Sequence, residues 1–231
     1  MIRVNANLFR IANLSVSTEE TRYYLNGVFV EKHASGKGAT LTTTDGHRLL
    51  SIYDETGICD KPAIVKLSDA ALKCCKPHKS DPEGSTRYIV VDQASETATI
   101  DVRVGYDCLK HQTVAVSERC IVDGTFPDYR RVVTQCVNPC DGKEMVPSFD
   151  QAYVASFCDI ALELWVHAGN KRARSGAGSV VITGATRGEA ALVSFPHNPI
   201  AFGLLMPMRT PAGFKPVLPA WFGQTTQALA A

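Results

Sequence analysis

The segments TRYYLNG at 21–27 and TTTDGHRL at 42–49 decide the fold at the start of the chain. Residues 22–31 and 39–53, which contain them, are rich in β-branched and aromatic side chains that favour extended strands. A Gly/Ser/Lys turn at 34–38 joins the two runs, and the Asp-Gly pair in the second is typical of a tight turn. The sequence therefore predicts a β-rich beginning.

Helix signals recur along the chain. A first helix is expected at about Asn7 to Leu14, and Ser68-Asp69 predicts the cap of a short second helix that ends before Pro77. The apolar spacing over 149–161 fits one face of a third helix. The sequence predicts further strands over 61–66, 87–92, 97–105, 112–122, 162–168, 178–183, 190–195 and 201–208.

These elements predict one helix-plus-strands unit that occurs three times, near 1–60, 61–133 and 146–209. Sheet faces are buried in pairs, so an odd number of units would leave one without a partner. Pairing of the third unit with its counterpart in another chain is therefore a further expectation.

Composition narrows the class of protein. The 231 residues suffice for one large or two small domains, and a formal net charge of +1 excludes a strongly basic molecule but not a local basic surface. The sequence shows neither a signal peptide nor a membrane span. Without a secretory signal, the eight scattered cysteines predict reduced, buried thiols and a cytoplasmic protein with no membrane partner.

Enzyme and metal motifs are not evident. The sequence contains no Gly-x-Ser-x-Gly elbow, P-loop, Rossmann glycine pattern or His-Glu-x-x-His helix. Zinc is the alternative suggested by Cys136 with Cys140 and by Cys74-Cys75 with His78, but no second pair lies at finger-like spacing. We predict a non-catalytic protein with no cofactor and no bound metal.

Three segments resemble the bacterial DNA sliding-clamp family, the β subunit of DNA polymerase III. They are Thr21–Gly27 with Thr42–Leu49, Asp123–Val132 (DGTFPDYRRV) and Leu205–Arg209 (LMPMR), and the stretch EMVPSFDQAYV is a weaker match. The first two resemble the middle domain of a family subunit, and the third resembles the end of its last domain. The resemblance implies an α+β, DNA-clamp-like fold of repeated helix-plus-antiparallel-sheet units.

The resemblance is to part of a family subunit. It implies a clamp-like domain over 1–133, a linker over 134–144, half a clamp domain over 145–209 and a C-terminal extension over 210–231. Family subunits have three domains and dimerise head to tail into a ring around duplex DNA. This chain shows no counterpart of the first domain or of the first half of the last one. A homo-oligomer is expected.

In the family, the matched segments form a groove that binds short linear peptides of polymerases, the clamp loader and repair proteins. The residue types suit this task, because Leu, Val and adaptable Met form an apolar floor, Pro leaves neighbouring backbone free to pair, and His and Arg form a polar rim. Taken singly, each segment is better explained as a turn or as core, and it is their co-occurrence in the family's order that favours the groove. The resemblance implies a peptide site at Leu25, Thr44, Gly46, His47, Arg48, Leu49, Pro127, Tyr129, Arg131, Val132, Met206, Pro207, Met208 and Arg209.

Clamps also contact DNA phosphates, and such contacts are non-specific and sensitive to salt. The candidates for DNA binding are Arg10, Arg22, Tyr23, Tyr24, Lys73 and Lys76. Further basic candidates are Lys66, Lys79, Lys171, Arg172 and Arg174. Solvated surface charge is the alternative for the basic residues and burial is the alternative for the tyrosines, while the nearby Glu19 and Glu20 would repel phosphate.

The predicted function is that of a sliding-clamp-like processivity factor, which binds linear peptides of DNA polymerase and of replication and repair proteins and tethers them at DNA. Its expected partners are polymerase and clamp-loader peptides, double-stranded DNA and further copies of the chain. The alternative is a clamp-like adaptor or regulator that binds peptides but does not encircle DNA.

Overall fold

A computed structural model of the chain describes residues 1–104, 111–137, 148–172, 179–183 and 189–208. The helices in these ranges are α1 (Ala6–Ala12), α2 (Asp69–Cys74), α3 (Tyr129–Val137) and α4 (Gln151–His167). Short 3-10 helices lie at Asn13–Ser15 and Glu20–Leu25. The strands are β1 (Ile2–Asn5), β2 (Val28–Lys32), β3 (Ala39–Thr44), β4 (Arg48–Asp54), β5 (Ile58–Cys59), β6 (Ala63–Val65), β7 (Ser85–Asp92), β8 (Thr97–Val104), β9 (His111–Ser117), β10 (Ile121–Val122), β11 (Val181–Thr183), β12 (Ala191–Ser194) and β13 (Ala201–Leu205).

The strands form two antiparallel sheets that are accompanied by helices, so the predicted α+β class is confirmed. One sheet has the order β5-β1-β7-β8-β9, and the other has the order β10-β6-β2-β3-β4-β13-β12-β11. Alternate residues of strands in both sheets point inward and pack with α1, α2 and α4 into one large core. The opposite face of the eight-stranded sheet carries α3 and a second, smaller hydrophobic cluster around Phe126 and Tyr129. This outer face forms the candidate site described below.

The third unit has a partner within the chain, so the prediction that it is left unpaired is wrong. Its strand β13 pairs with β4, which places Leu204 opposite Leu49 and extends the sheet without a break. Helix α4 packs against α1 on the inner side. Gly203 permits this packing, because a Cβ there would lie 2.4 Å from a ring carbon of Phe157 on α4.

The predicted strand at 162–168 is also wrong, because α4 continues to His167. The helix begins at the predicted place, where the Asp150 side chain caps it by accepting a hydrogen bond from the backbone of Ala152. Phe157, Ile160, Ala161 and Leu164 then continue a single buried face at helical spacing. The β-branched and aromatic content of LELWVHA is overridden by this tertiary burial.

Residues 22–27 are not part of a strand. The chain forms a 3-10 helix over Glu20–Leu25, interrupted by non-helical backbone angles at Arg22, and β2 begins only at Val28. A strand would require a buried face on alternate residues, but Tyr23 is 55% exposed while Leu25 is buried. The segment therefore packs Leu25 inward and leaves Tyr23 at the surface.

The linker is predicted to begin at residue 134, but α3 continues to Val137, so the first residues of the predicted linker are helical. The rest of the linker, together with the predicted extension over 210–231, lies outside the described residues. The helix cap predicted at Ser68 is confirmed, because its hydroxyl accepts a hydrogen bond from the backbone of Ala71 at 3.3 Å. The first helix is also confirmed, with its 3-10 extension reaching Ser15.

Several cysteines are buried, as predicted. Burial raises the pKa of Cys59 and of Cys120 to about 11 and that of Cys75 to about 12, so these thiols are unreactive at neutral pH. Cys158 on α4 is exposed. Over the residues that the structure describes, no group of three or more His, Cys, Asp or Glu side chains could hold a metal ion, and no helix is long and apolar enough to cross a membrane.

Candidate functional site: an apolar cavity on the outer face of the sheet

A cavity of about 320 Å³ opens on the outer face of the eight-stranded sheet. Four stretches that are distant in sequence form its walls: the 3-10 helix near Leu25, the turn after β3, the start of α3, and strand β13 with the residues around it. The lining residues are Arg22, Tyr24, Leu25, Thr44, Gly46, His47, Arg48, Leu49, Pro127, Asp128, Tyr129, Val132, Ala190, Leu204 and Met206. An apolar concave surface with a few polar groups is the usual form of a ligand site.

The turn between β3 and β4 is held by its own side chains. The carboxylate of Asp45 accepts hydrogen bonds from the backbone of His47 at 2.9 Å and of Arg48 at 3.0 Å, and the hydroxyl of Thr44 accepts one from Gly46 at 3.1 Å. Gly46 has a φ of +91°, which a side chain would strain. The backbone carbonyl of His47 accepts a hydrogen bond from Met206 at 2.9 Å, so this turn also fixes the wall that follows β13.

Arg48 lines the cavity, but its guanidinium is bound within the chain. It forms an ion pair with Asp45 at 3.0 Å and donates to the carbonyl of Leu14 at 3.1 Å and to the hydroxyl of Ser156. It also lies 5.1 Å from the centre of the Tyr153 ring on α4. The arginine predicted as a rim cation therefore joins β4 to the third unit, and it has few donors left for a ligand.

Tyr129, the first residue of α3, forms another wall. Its ring is edge-on to Phe126, with centroids 6.4 Å apart, and its hydroxyl donates to Glu31 on β2 at 2.6 Å. Burial and this hydrogen bond raise the pKa of Tyr129 to about 12, so the phenol keeps its proton at neutral pH. Phe126 stacks in turn on Phe29 of β2, with ring centroids 4.8 Å apart.

The structure brings most of the predicted peptide-site residues together. Ten of the fourteen line the cavity: Leu25, Thr44, Gly46, His47, Arg48, Leu49, Pro127, Tyr129, Val132 and Met206. Arg131 is exposed on α3, and Pro207 and Met208 continue the chain beyond Met206, so these three lie next to the lining residues and not among them. Arg209 lies outside the described residues.

Five lining residues were not assigned to this site from the sequence. Arg22 and Tyr24 belong to the TRYYLNG segment, but the sequence predicts them as DNA contacts. Asp128 stands between two predicted residues, so its place in the segment could have identified it. Leu204 directly precedes the matched segment LMPMR. Ala190 carries no sequence signal, since only the pairing of β12 with β13 brings it to the cavity.

The residues predicted to contact DNA are divided between different environments. Arg10 is largely buried and forms an ion pair with Glu163 of α4 at 2.5 Å, while Arg22 pairs with Glu19 at 3.3 Å beside the cavity. Tyr23 is exposed and Tyr24 lines the cavity. The two α2-region lysines, Lys73 and Lys76, are exposed. These two lysines are thus exposed predicted contacts that do not line the cavity.

The further basic candidates that lie within the described residues are also exposed. Lys66, Lys79, Lys171 and Arg172 lie at the surface, and Arg174 lies outside the described residues. Arg172 is an ion-pair partner of Glu163 at 3.3 Å.

A second cavity of about 490 Å³ lies on the other side of Tyr129. Its lining includes His33, Tyr53, Arg130 and Phe202, with His33 and Tyr53 ring centroids 4.5 Å apart. Tyr129 lines both cavities and therefore stands between them.

Comparisons with known proteins agree with this architecture. No protein-family model matches the sequence. The chain is 31% identical over 123 residues to the beta sliding clamp of Caulobacter vibrioides, a match that covers 52% of this chain and 29% of that protein. It is 29% identical over 133 residues to the beta sliding clamp of Rickettsia bellii, covering 56% of this chain and 31% of that protein. The matched part thus spans less than a third of the curated relatives' length.

Solved structures extend the likeness to most of the chain. DNA polymerase III subunit beta from Borrelia burgdorferi, in complex with a natural product, aligns with 91% of this chain and 65% of its own, with a TM-score of 0.56 and 14% identity. The DnaN sliding clamp from Bartonella birtlesii, bound to griselimycin, aligns with 90% of this chain and 66% of its own, with a TM-score of 0.53 and 20% identity. At these identities the structures establish the fold. This chain is similar in sequence to part of the bacterial beta sliding clamps and has their fold.

Proposed function

We propose that this chain is a sliding-clamp-like processivity factor whose apolar cavity binds linear peptides of DNA polymerase and of replication and repair proteins and tethers them at DNA. The observation that carries this proposal is the convergence of three clamp-like segments on one cavity. Tethering raises the effective concentration of a bound polymerase at a primer end and requires no bond chemistry by the clamp. A cytoplasmic, non-catalytic role belongs to the same proposal.

The cavity suits a short peptide with hydrophobic anchors. Leu25, Leu49 and Leu204 are nearly fully buried and form an apolar floor, whereas Met206 is 39% exposed at the edge. A flexible methionine at an edge can adapt to different anchor side chains. His47, which is exposed and lies on the turn, is available to hydrogen-bond a peptide backbone or side chain.

Domain assignments follow from the same proposal. Residues 1–133 would correspond to the middle domain of a clamp and residues 145–209 to the latter half of its last domain, with the cavity at the junction of β4 and β13. The proposal includes assembly of several copies of the chain into a ring that encircles DNA. Without a ring, only weak and salt-sensitive phosphate contacts would hold the chain on DNA.

The test is a fluorescence anisotropy titration with a fluorescein-labelled clamp-binding peptide of the replicative polymerase. We expect saturable binding by the wild-type chain that His47→Ala and Met206→Ala each weaken by about threefold to tenfold, since both residues line the cavity. His111→Ala and Val116→Ala, at exposed positions of β9, are the matched controls and should leave the affinity unchanged. Absence of binding at high protein concentration would contradict the proposal.

A second assay separates a clamp from an adaptor. Processivity of the polymerase is measured on circular primed DNA in the presence of a clamp loader. Stimulation is the expected result for a processivity factor. Peptide binding without stimulation would instead support the adaptor that does not encircle DNA.

A further inference from the structure

Glu31 on β2 carries a carboxylate in a nearly buried position, with only 9% of the residue exposed. A buried carboxylate is costly unless hydrogen bonds or an opposite charge compensate its lost hydration. Both kinds of compensation come from the first two residues of α3. The Tyr129 hydroxyl donates to Oε1 of Glu31 at 2.6 Å, and Nη2 of Arg130 lies 2.7 Å from the same oxygen.

This carboxylate acts on a residue of the cavity without lining the cavity itself. Tyr129 is held at its ring by the edge-on contact with Phe126, and at its hydroxyl by Glu31. The Arg130 guanidinium lies 5.1 Å from the centre of the Tyr129 ring, so the three side chains form one cluster. Since Tyr129 stands between the two cavities, its position sets the shape of the wall that a ligand meets.

We propose that Glu31 is a positioning residue: through the hydroxyl of Tyr129 and the guanidinium of Arg130 it holds the first turn of α3 against β2 and keeps Tyr129 in the wall of the peptide cavity. The expected effect of Glu31 on peptide binding rests on the proposed function. The attachment of α3 to β2 does not rest on it, because that attachment follows from the contacts of Glu31 with Tyr129 and Arg130 alone. Hydrogen bonds to a charged group are the stronger ones, so this cluster is suited to fix the first turn of α3 to the sheet.

Hydrogen–deuterium exchange tests the attachment without any ligand. We expect the amides of residues 129–137 to exchange about tenfold faster in Glu31→Ala than in the wild type, with the rates in β7 and β8 unchanged. Glu31→Gln, which keeps an acceptor for Tyr129 but loses the charge, should give a smaller increase. Glu55→Ala is the matched control, because it removes an exposed carboxylate that pairs with Lys37 at 2.6 Å. Unchanged exchange over 129–137 in Glu31→Ala would overturn the inference.

A double-mutant cycle tests the effect on binding of the same labelled peptide. Glu31→Ala and Tyr129→Phe should each weaken binding by about threefold to tenfold, and the double variant should bind no more weakly than Glu31→Ala, because Tyr129→Phe removes a contact that Glu31→Ala has already removed. Additive losses that follow the thermal midpoints would indicate general destabilisation and count against a positioning role. Faster exchange in Glu31→Ala supports the inference even where the wild-type chain fails to bind the peptide, a result that would count against the proposed function alone.

Discussion

Arg10 on α1 and Glu163 on α4 form an ion pair, with 2.5 Å between Nη2 and Oε2, across the contact of the first and third units. Their side chains are only 17% and 16% exposed. Burial alone would raise the pKa of Glu163, but the hydrogen bond and charge of Arg10, with Lys76 and Arg172 nearby, outweigh it and lower the pKa. Arg10, predicted from its charge to contact DNA, is thus engaged in joining two parts of the chain.

Removal of the Arg10 side chain should lower the stability of the fold, because that side chain is engaged with Glu163 and not with DNA. Arg10→Ala leaves the Glu163 carboxylate largely buried with a weaker partner, and we expect the free energy of unfolding to fall by about 1–3 kcal/mol. Lys37→Ala is the control, because its pair with Glu55 is exposed and such pairs contribute about 0–1 kcal/mol. Urea denaturation provides the measurement. Equal losses in the two variants would contradict this account of the Arg10 pair.

Gly46 and Gly36 provide a comparison that separates backbone strain from contact with Arg22. Both have positive φ, +91° and +81°, so alanine at either position should cost about 1–3 kcal/mol of stability. A Cβ on Gly46 would lie 2.7 Å from Nη1 of Arg22, whereas one on Gly36 would meet nothing within 4 Å. The end of the arginine can move aside, and its movement alters the cavity wall.

The two glycine variants should therefore differ in binding and not in stability. We expect Gly46→Ala to weaken binding of the labelled polymerase peptide by roughly fivefold, equivalent to about 1 kcal/mol, and Gly36→Ala to leave it unchanged. Anisotropy titration and urea denaturation of both proteins give the two quantities. Equal affinity in the two variants would mean that the position of Arg22 does not affect the ligand.

His167, near the end of α4, makes the stability of the fold depend on pH. Burial lowers its pKa below the ordinary value of 6.5; the charge of Arg10 also lowers it, while that of Asp54 opposes this. Its Nδ1 lies 3.0 Å from the side-chain nitrogen of Asn7 on α1. Below pH 6.5 the unfolded chain takes up a proton at this residue more readily than the folded chain does, so the folded state loses stability as pH falls.

The loss should approach at most about 1.4 kcal/mol for each pH unit below 6.5, and it should end once the pH passes the lowered pKa of the folded state. His167→Asn removes this titration, and its free energy of unfolding should fall less between pH 7 and pH 5 than that of the wild type. Urea denaturation at intervals of half a pH unit measures the difference. The same pH dependence in both proteins would show that His167 is not responsible.

Local chemistry explains which parts of the site could be predicted from the sequence. The turn at Asp45 and Gly46 is specified by short-range hydrogen bonds and a positive φ, so its type is evident from the residues themselves. The cap at Ser68 is local in the same way. That these segments meet at one cavity followed from their resemblance to a clamp, since no single segment determines it.

Long-range contacts explain the parts that could not be predicted. The end of α4 was predicted as a strand because its residues favour strands, and only burial of Leu164 against the rest of the fold makes the helix continue. The charges of Arg10 and Arg48 gave no sign that Glu163 and Ser156, more than 100 positions away, would engage them. The sequence therefore identifies the basic residues, but it does not show which of their side chains are engaged within the fold and which remain available to DNA.

Lys73, in the last turn of α2, and Lys76, just after it, are both exposed, so their ammonium groups can meet phosphate. Each phosphate contact that a lysine makes releases condensed counterions, so binding weakens with salt by about 0.9 log units per log unit of salt for each contact on duplex DNA. Lys73→Ala/Lys76→Ala should therefore lower the slope of log affinity against log salt by about 1.8. Lys32→Ala/Lys61→Ala, which removes two exposed lysines at the end of β2 and before β6, should leave the slope unchanged. Anisotropy titrations with a labelled duplex across a series of salt concentrations measure both slopes, and an equal reduction in the two variants would mean that DNA senses the net charge of the molecule and not a surface at α2.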